Sequence, residues 1–226
     1  MIGTRLDRAG ARVVSLYGDA PRGDRFHVRL RWWSCPFPAI EREIPLRARV
    51  LDVGCGHGLG SLYLAVSSRQ RDVLGVDIDR DKVGVAKQAA AHLAPGEASV
   101  RFEAVAGGLD LRESFDAVTV IDVLYLLDQV GRRELVEAAA GLVAPGGVLV
   151  VKEADQVPRW KAAITVAQEL VATRVLRITE GDQVQFTPPA ELAEMIERQG
   201  LDVTRRRVDS GYVHPHVLII ARRPPS

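Results

Sequence analysis

An excess of charge is the first thing this sequence lacks. Its 30 Lys and Arg stand against 29 Asp and Glu, for a formal net charge of +1. No strong overall field draws the chain toward nucleic acid or an anionic membrane, and nucleic acid is not expected as a partner. The one short basic run, Arg205-Arg206-Arg207, lies in a predicted strand and reads as a solvated strand face. Cysteine is scarce, with only Cys35 and Cys55 present. Cys55 stands among alternating glycines, where a disulfide would obstruct a ligand, so reduced thiols and a cytoplasmic setting are expected. No metal-ligand spacing occurs, and no metal site is expected. No apolar run reaches the roughly 20 residues of a membrane-spanning helix, and the start of the chain lacks the apolar core of a signal peptide. Stable membrane insertion is therefore not expected. Internal repeats and low-complexity segments are absent too.

What is present is a glycine turn. Val50-Leu51-Asp52-Val53-Gly54-Cys55-Gly56-His57-Gly58 reads as a buried strand entering a tight bend, and the apolar stretch from Leu59 to Val66 reads as a helix. Such a bend exposes backbone N–H groups, and glycine leaves no Cβ to block a ligand. The spacing is not the dinucleotide G-x-G-x-x-G, because Leu59 or Ser61 falls where the third glycine would stand. No Walker phosphate loop is present either. After the helix, Asp72–Asp77 reads as a second strand. It ends in a carboxylate about twenty residues beyond the turn, where doubly wound nucleotide folds place a ribose-binding acid. An ionised carboxylate accepts two hydrogen bonds and so matches a vicinal diol. Asp79 fits the N-cap of the next helix and leaves Asp77 free.

The remaining elements alternate. Val83, Ala86, Ala90 and Leu93 mark a helix face, Ser99–Ala104 a third strand and Phe115–Ile121 a fourth. A helix over Arg132–Val143 and a strand over Val148–Lys152 follow. The last helix begins near Pro189, before strands at Leu201–Val208 and Val217–Ala221. The final two strands lack an intervening helix and must be antiparallel. The fold class is thus α/β: a doubly wound, Rossmann-like, seven-stranded sheet whose last strand is reversed. An N-terminal helical segment precedes it, and an α-helical insert follows strand five. The 226 residues suit one such domain.

In its acid-x-Gly-x-Gly-x-Gly bend followed by Asp77, the chain resembles the class I S-adenosylmethionine-dependent methyltransferases. The resemblance implies S-adenosyl-L-methionine as cofactor. The bend (Asp52, Gly54, Cys55, Gly56, Gly58) would hold its methionine part, Asp77 its ribose hydroxyls, and Ile78 would lie against the adenine. Asp122 and Val123 fall in an acid-x-apolar-aromatic run that the family often places beside the transferable methyl. Asp122 would contact the cofactor, orient a substrate or cap a turn. The sequence departs from the family after strand three, where Val105 or Ala106 stands in place of an adenine-binding Asp. Adenine recognition then rests on backbone groups and apolar contact. The pattern before strand five is one residue longer than usual.

Organisation follows from this reading. Residues 1–25, rich in glycine, form a loose arm, and 26–226 form a single methyltransferase domain. Within it, residues 26–46 present Phe26, Leu30 and Trp33 at helical spacing, as a lid over the turn or as packing on the sheet. Trp32 and Trp33 read as packing. Residues 154–188 exceed a plain crossover and contain an amphipathic helix marked by Trp160, Ile164, Ala167 and Val171. They read as a substrate cap or a dimer contact. The candidate bases for methyl transfer are His214 and His216, in the turn before the last strand, and Glu153 at the end of strand five. The expected activity is transfer of a methyl group to an O, N or C atom of a small, partly apolar molecule, by a monomer or homodimer. Two alternatives remain: a non-catalytic cofactor-binding module and a nicotinamide-dependent oxidoreductase.

Overall fold

The computed structural model describes residues 6–154, 187–208, 212 and 215–225. Helices α1 (Arg8–Ser15), α2 (Arg22–Ser34) and α3 (Phe37–Glu41) precede the sheet. Then come β1 (Ala48–Val53), α4 (Leu59–Ser67), β2 (Arg71–Asp77), α5 (Arg80–Ala90), β3 (Ser99–Ala104) and β4 (Phe115–Ile121). A short 3-10 turn (Leu124–Leu126), α6 (Gln129–Gly141), β5 (Val143–Ala154), α7 (Pro189–Glu197), β6 (Asp202–Arg207) and β7 (His216–Arg222) complete the order. The sheet has seven strands in the order β3-β2-β1-β4-β5-β7-β6. All neighbours are parallel except β7, which runs against both β5 and β6.

The central strands are continuous apolar runs because helices cover both sheet faces. Side chains alternate between two cores. Val50, Val73 and Val148 face the layer of α1 to α5, while Leu51, Leu74 and Leu149 face α6 and α7. Strand order reverses between β1 and β4, so their carboxyl ends flank the crevice in which open α/β sheets bind ligands. His216 pairs opposite Ala154, which brings the start of β7 to that same rim.

The N-terminal region departs from the expected loose arm. Asp7 caps α1 by accepting a hydrogen bond from the Gly10 N–H at 2.6 Å, and Val13, Leu16 and Tyr17 are buried. Helix α2 also buries a different face. Val28, Trp32 and the following Cys35 point inward, whereas Phe26, Leu30 and Trp33 are 67%, 48% and 37% exposed. Trp32 stacks on Phe37 and meets the edge of Tyr63, which bears out its packing role. Arg71, buried at the start of β2, donates to the Pro45, Leu64 and Ile44 carbonyls and pairs with Glu41, tying α3 and its tail to α4.

Candidate active site

The glycine turn is folded back on β2. The Gly54 and Cys55 N–H groups both donate to the Val76 carbonyl, at 2.8 and 3.0 Å. Gly54, Gly56 and Gly58 all have positive φ, at 69°, 53° and 79°. Their surroundings differ. A Cβ on Gly54 would strike Val123, and one on Gly58 would lie 2.7 Å from Ala86 and Phe102. A Cβ on Gly56 would meet nothing within 4 Å. Gly54 and Gly58 thus allow close packing, and Gly56 presents bare backbone to open space. At Gly58 helix α4 begins with no side-chain cap, so its first N–H groups remain available beside the turn.

Asp77 braces this bend. Its Oδ2 accepts from the Gly56 N–H at 2.7 Å and its Oδ1 from the Asp79 N–H at 2.9 Å. Each oxygen keeps a lone pair for a further donor. Asp79 caps α5 through the Asp81 and Lys82 N–H groups, as expected. Ile78 beside it is 72% exposed, an apolar surface at the crevice edge. Asp52 is buried instead. Its carboxylate takes the Ser61 hydroxyl at 2.5 Å and the Thr119 hydroxyl at 2.7 Å, linking β1, α4 and β4. Burial raises its pKa, and the two hydroxyls partly offset that rise. Burial, then Asp52 and Asp77, push the Cys55 thiol well above its usual range.

Beyond β4 lies a buried ionic cluster. Asp122 is the one non-glycine residue with positive φ among those described, at 55°. Such backbone is costly for a residue with a Cβ and concentrates at functional sites. Its carboxylate accepts both bonds from Lys152 Nζ, at 2.5 and 2.7 Å, and pairs with Arg31 Nη1 at 2.6 Å. Burial would raise the Asp122 pKa, but Lys152 and Arg31 outweigh it and the group is held well below the usual range. The neighbouring Glu153 accepts from the Val123 and Leu124 N–H groups at 3.2 and 2.9 Å. Burial, then the Asp122 charge, raise its pKa against the pull of Lys152 and those two N–H groups. His216 is buried at the same rim, edge-on to Tyr212, and is the least of the neighbours that help hold the Asp122 pKa down. His214 and the greater part of the expected cap, residues 155–186, lie outside the described residues. No group of His, Cys, Asp and Glu suited to a metal occurs among those described.

Helices α1 and α2 flank the turn. The Tyr17 hydroxyl donates to the His57 carbonyl at 2.7 Å, His57 Nε2 lies 3.3 Å from Asp24, and the His27 and His57 rings are 4.7 Å apart. Burial, then His57, push the His27 pKa down to about 4; burial also lowers that of His57. Arg31 is the functional candidate that sequence reasoning missed. Nothing in its local pattern marks it, since its partner comes from the far side of the switch point.

A sheet of this order, with a glycine bend braced by an acid at the end of β2, defines the class I S-adenosylmethionine-dependent methyltransferase superfamily. The family model described as "Methyltransferase domain" matches residues 27–206, and the chain belongs to that family. A ubiquinone biosynthesis O-methyltransferase from Dechloromonas aromatica is 30% identical over 206 residues, covering 83% of this chain and 85% of its own. A protein of the same name from Paraburkholderia phymatum is 30% identical over 188 residues, covering 76% and 78%. Among solved structures, an O-methyltransferase family protein from Burkholderia thailandensis superposes with a TM-score of 0.68 at 25% identity. That match covers 90% of this chain and 58% of the other. Magnesium protoporphyrin IX methyltransferase from Synechocystis shares the fold, with a TM-score of 0.61 at 18% identity over 97% of this chain and 89% of its own.

Proposed function

We propose that this methyltransferase moves the methyl group of S-adenosyl-L-methionine to an oxygen atom of a small, partly apolar organic molecule. The observation that carries the reading is the bend at Gly56. Its backbone borders open space, and its N–H is fixed by the Asp77 carboxylate. A ligand bearing a diol and a short amino-acid tail suits that pair. Asp77 would take the ribose hydroxyls, Ile78 the adenine face, and Gly54, Cys55, Gly56 and Gly58 the methionine part. Asp122 and Val123 would border the sulfonium from the β4 side, with Asp52 holding the bend from beneath.

Bound there, the cofactor supplies a methyl group on a positively charged sulfur, which is the difficult chemistry. The chain's own residues align the acceptor and manage its proton, and alignment alone supplies about 7–11 kcal/mol in favourable cases. Glu153 is the preferred base, because its raised pKa brings a carboxyl toward the working pH. His216 at the same rim is the second candidate. Arg31 and Lys152 lie where they would favour negative charge on an acceptor oxygen. The name shared by the relatives favours oxygen over nitrogen or carbon as the accepting atom. Cys35 and Cys55 are not joined in a disulfide, in keeping with our placing the protein in the cytoplasm.

Calorimetric titration with S-adenosylmethionine and S-adenosylhomocysteine, followed by a labelled-methyl screen against metabolite fractions, tests the proposal. Binding of both, and transfer to an apolar hydroxylated fraction, is expected. Absence of binding would refute the cofactor site. Binding without transfer to any fraction would point to a non-catalytic module.

A further inference from the structure

We propose that the outer face of α2 docks this protein on an anionic lipid surface. Phe26, Leu30 and Trp33 follow one another at one-turn spacing and are 67%, 48% and 37% exposed. Arg22, Arg25 and Arg29 are exposed on the adjoining stripe of the same helix. The helix's single acid, Asp24, turns to His57 instead. The outward face therefore carries an apolar strip beside a basic one, with no carboxylate. A surface helix of that kind lies in the headgroup region, its apolar side chains in the acyl boundary and its arginines among lipid phosphates. The whole-chain charge of +1 conceals this local field.

The placement of α2 adds to the case. Its inner side meets the glycine turn through Asp24 and His27, and the ionic cluster through Arg31. Leu126 and Val130, in the segment after Asp122, are also exposed, at 46% and 53%. Docking through α2 would set the mouth of the site close to the bilayer, so an apolar acceptor could enter without crossing water. A second copy of the chain fits the face less well. In a two-fold dimer the same patch meets itself, which would set these arginines against one another.

Vesicle flotation of the full chain tests this, with phosphatidylcholine vesicles made with and without phosphatidylglycerol. Binding is expected only with phosphatidylglycerol and is expected to weaken in high salt. It should fall on the order of tenfold or more both in Arg25→Glu/Arg29→Glu and in Phe26→Ser/Leu30→Ser. No binding to anionic vesicles, or binding by either double variant that equals the parent's, would overturn the proposal. So would a dimer mass that becomes monomeric in Phe26→Ser/Leu30→Ser. A melting temperature several degrees lower for that variant without vesicles would assign the face to the chain's own segments and also overturn it. Cofactor titration of the same variants stays unchanged, which separates this proposal from the reading of the active site.

Discussion

Glycines 54, 56 and 58 share a residue type and a left-handed backbone, yet each meets a different constraint. Alanine in that conformation costs about 1–2 kcal/mol. At Gly56 nothing else opposes a Cβ, so Gly56→Ala should lose about that much stability and a larger share of cofactor affinity. Gly54→Ala must also displace Val123, for a total of about 2–5 kcal/mol. Urea melts and calorimetry on both variants check the contrast; equal stability losses would contradict it. Glu153 carries the second prediction. Its folded pKa lies above the ordinary 4.5, so the stability it contributes is full below that value and drains away as pH rises through the folded pKa. Glu153→Gln keeps an oxygen for the Val123 and Leu124 N–H groups and removes the buried charge. Its melting temperature should match or exceed that of the parent at alkaline pH, with a flatter pH dependence. Its turnover should fall by about 10²–10⁴. In the parent, turnover should decline as pH drops through the raised pKa, because a protonated carboxyl cannot accept the proton; a pH–rate profile reads this directly. Asp77 and the turn were legible because they are local motifs. The salt bridges of Asp122 to Lys152 and Arg31 were not, because each joins residues distant in the chain.

Strands and helices were legible to different degrees for a simple reason. β1, β2, β4 and β7 are apolar runs bounded by glycine or charge, and their predicted limits fall close to those observed. α2 offers two apolar stripes at the same helical spacing, Phe26-Leu30-Trp33 and Val28-Trp32-Cys35, and only tertiary packing chooses the second. α1 was hidden by glycines. Gly10, taken as a mark of looseness, is where Trp32 crosses so closely that any Cβ would collide with its ring. The region is therefore structural. Val13, Leu16 and Tyr17 each contribute about 1.5–3 kcal/mol of burial as an upper bound. Removing residues 1–20 should lower the melting temperature markedly. It should also weaken cofactor binding, because the Tyr17 hydroxyl no longer fixes the His57 carbonyl in the turn. Scanning fluorimetry with and without cofactor checks both, and an unchanged melting temperature would return the segment to the status of an arm. Arg31→Met is the finer cut at this scale. The helix stays docked through Trp32, but Asp122 loses one cation, so acceptor turnover should fall more than cofactor affinity.

For the whole molecule, chain order and spatial order diverge at the end of the sheet. β7 comes last in sequence but lies inside the sheet, between β5 and β6. The reversal itself was legible, since too little chain separates the last two strands for a crossover. Its consequence is that the tail of the chain closes the fold. Leu218, Ile219 and Ala221 are fully buried, and β7 pairs with seven residues of β5 from Val148 to Ala154, including Lys152 and Glu153. The strand that supplies the candidate base is thus held in register by β7, a strand that follows it only after α7 and β6. Truncation after Val208 should leave β5 as a bare apolar edge and β6 without a pairing strand, which invites edge-to-edge association. The expected result is an insoluble or uncooperative protein, whereas truncation after Arg223 should melt like the parent, because every pair of the β5–β7 ladder survives. Solubility and the sharpness of thermal melts distinguish the two. A soluble, cooperative product ending at Val208 would mean that the remaining strands of the sheet stabilise themselves, and that the register of Glu153 is set from the β4 side alone.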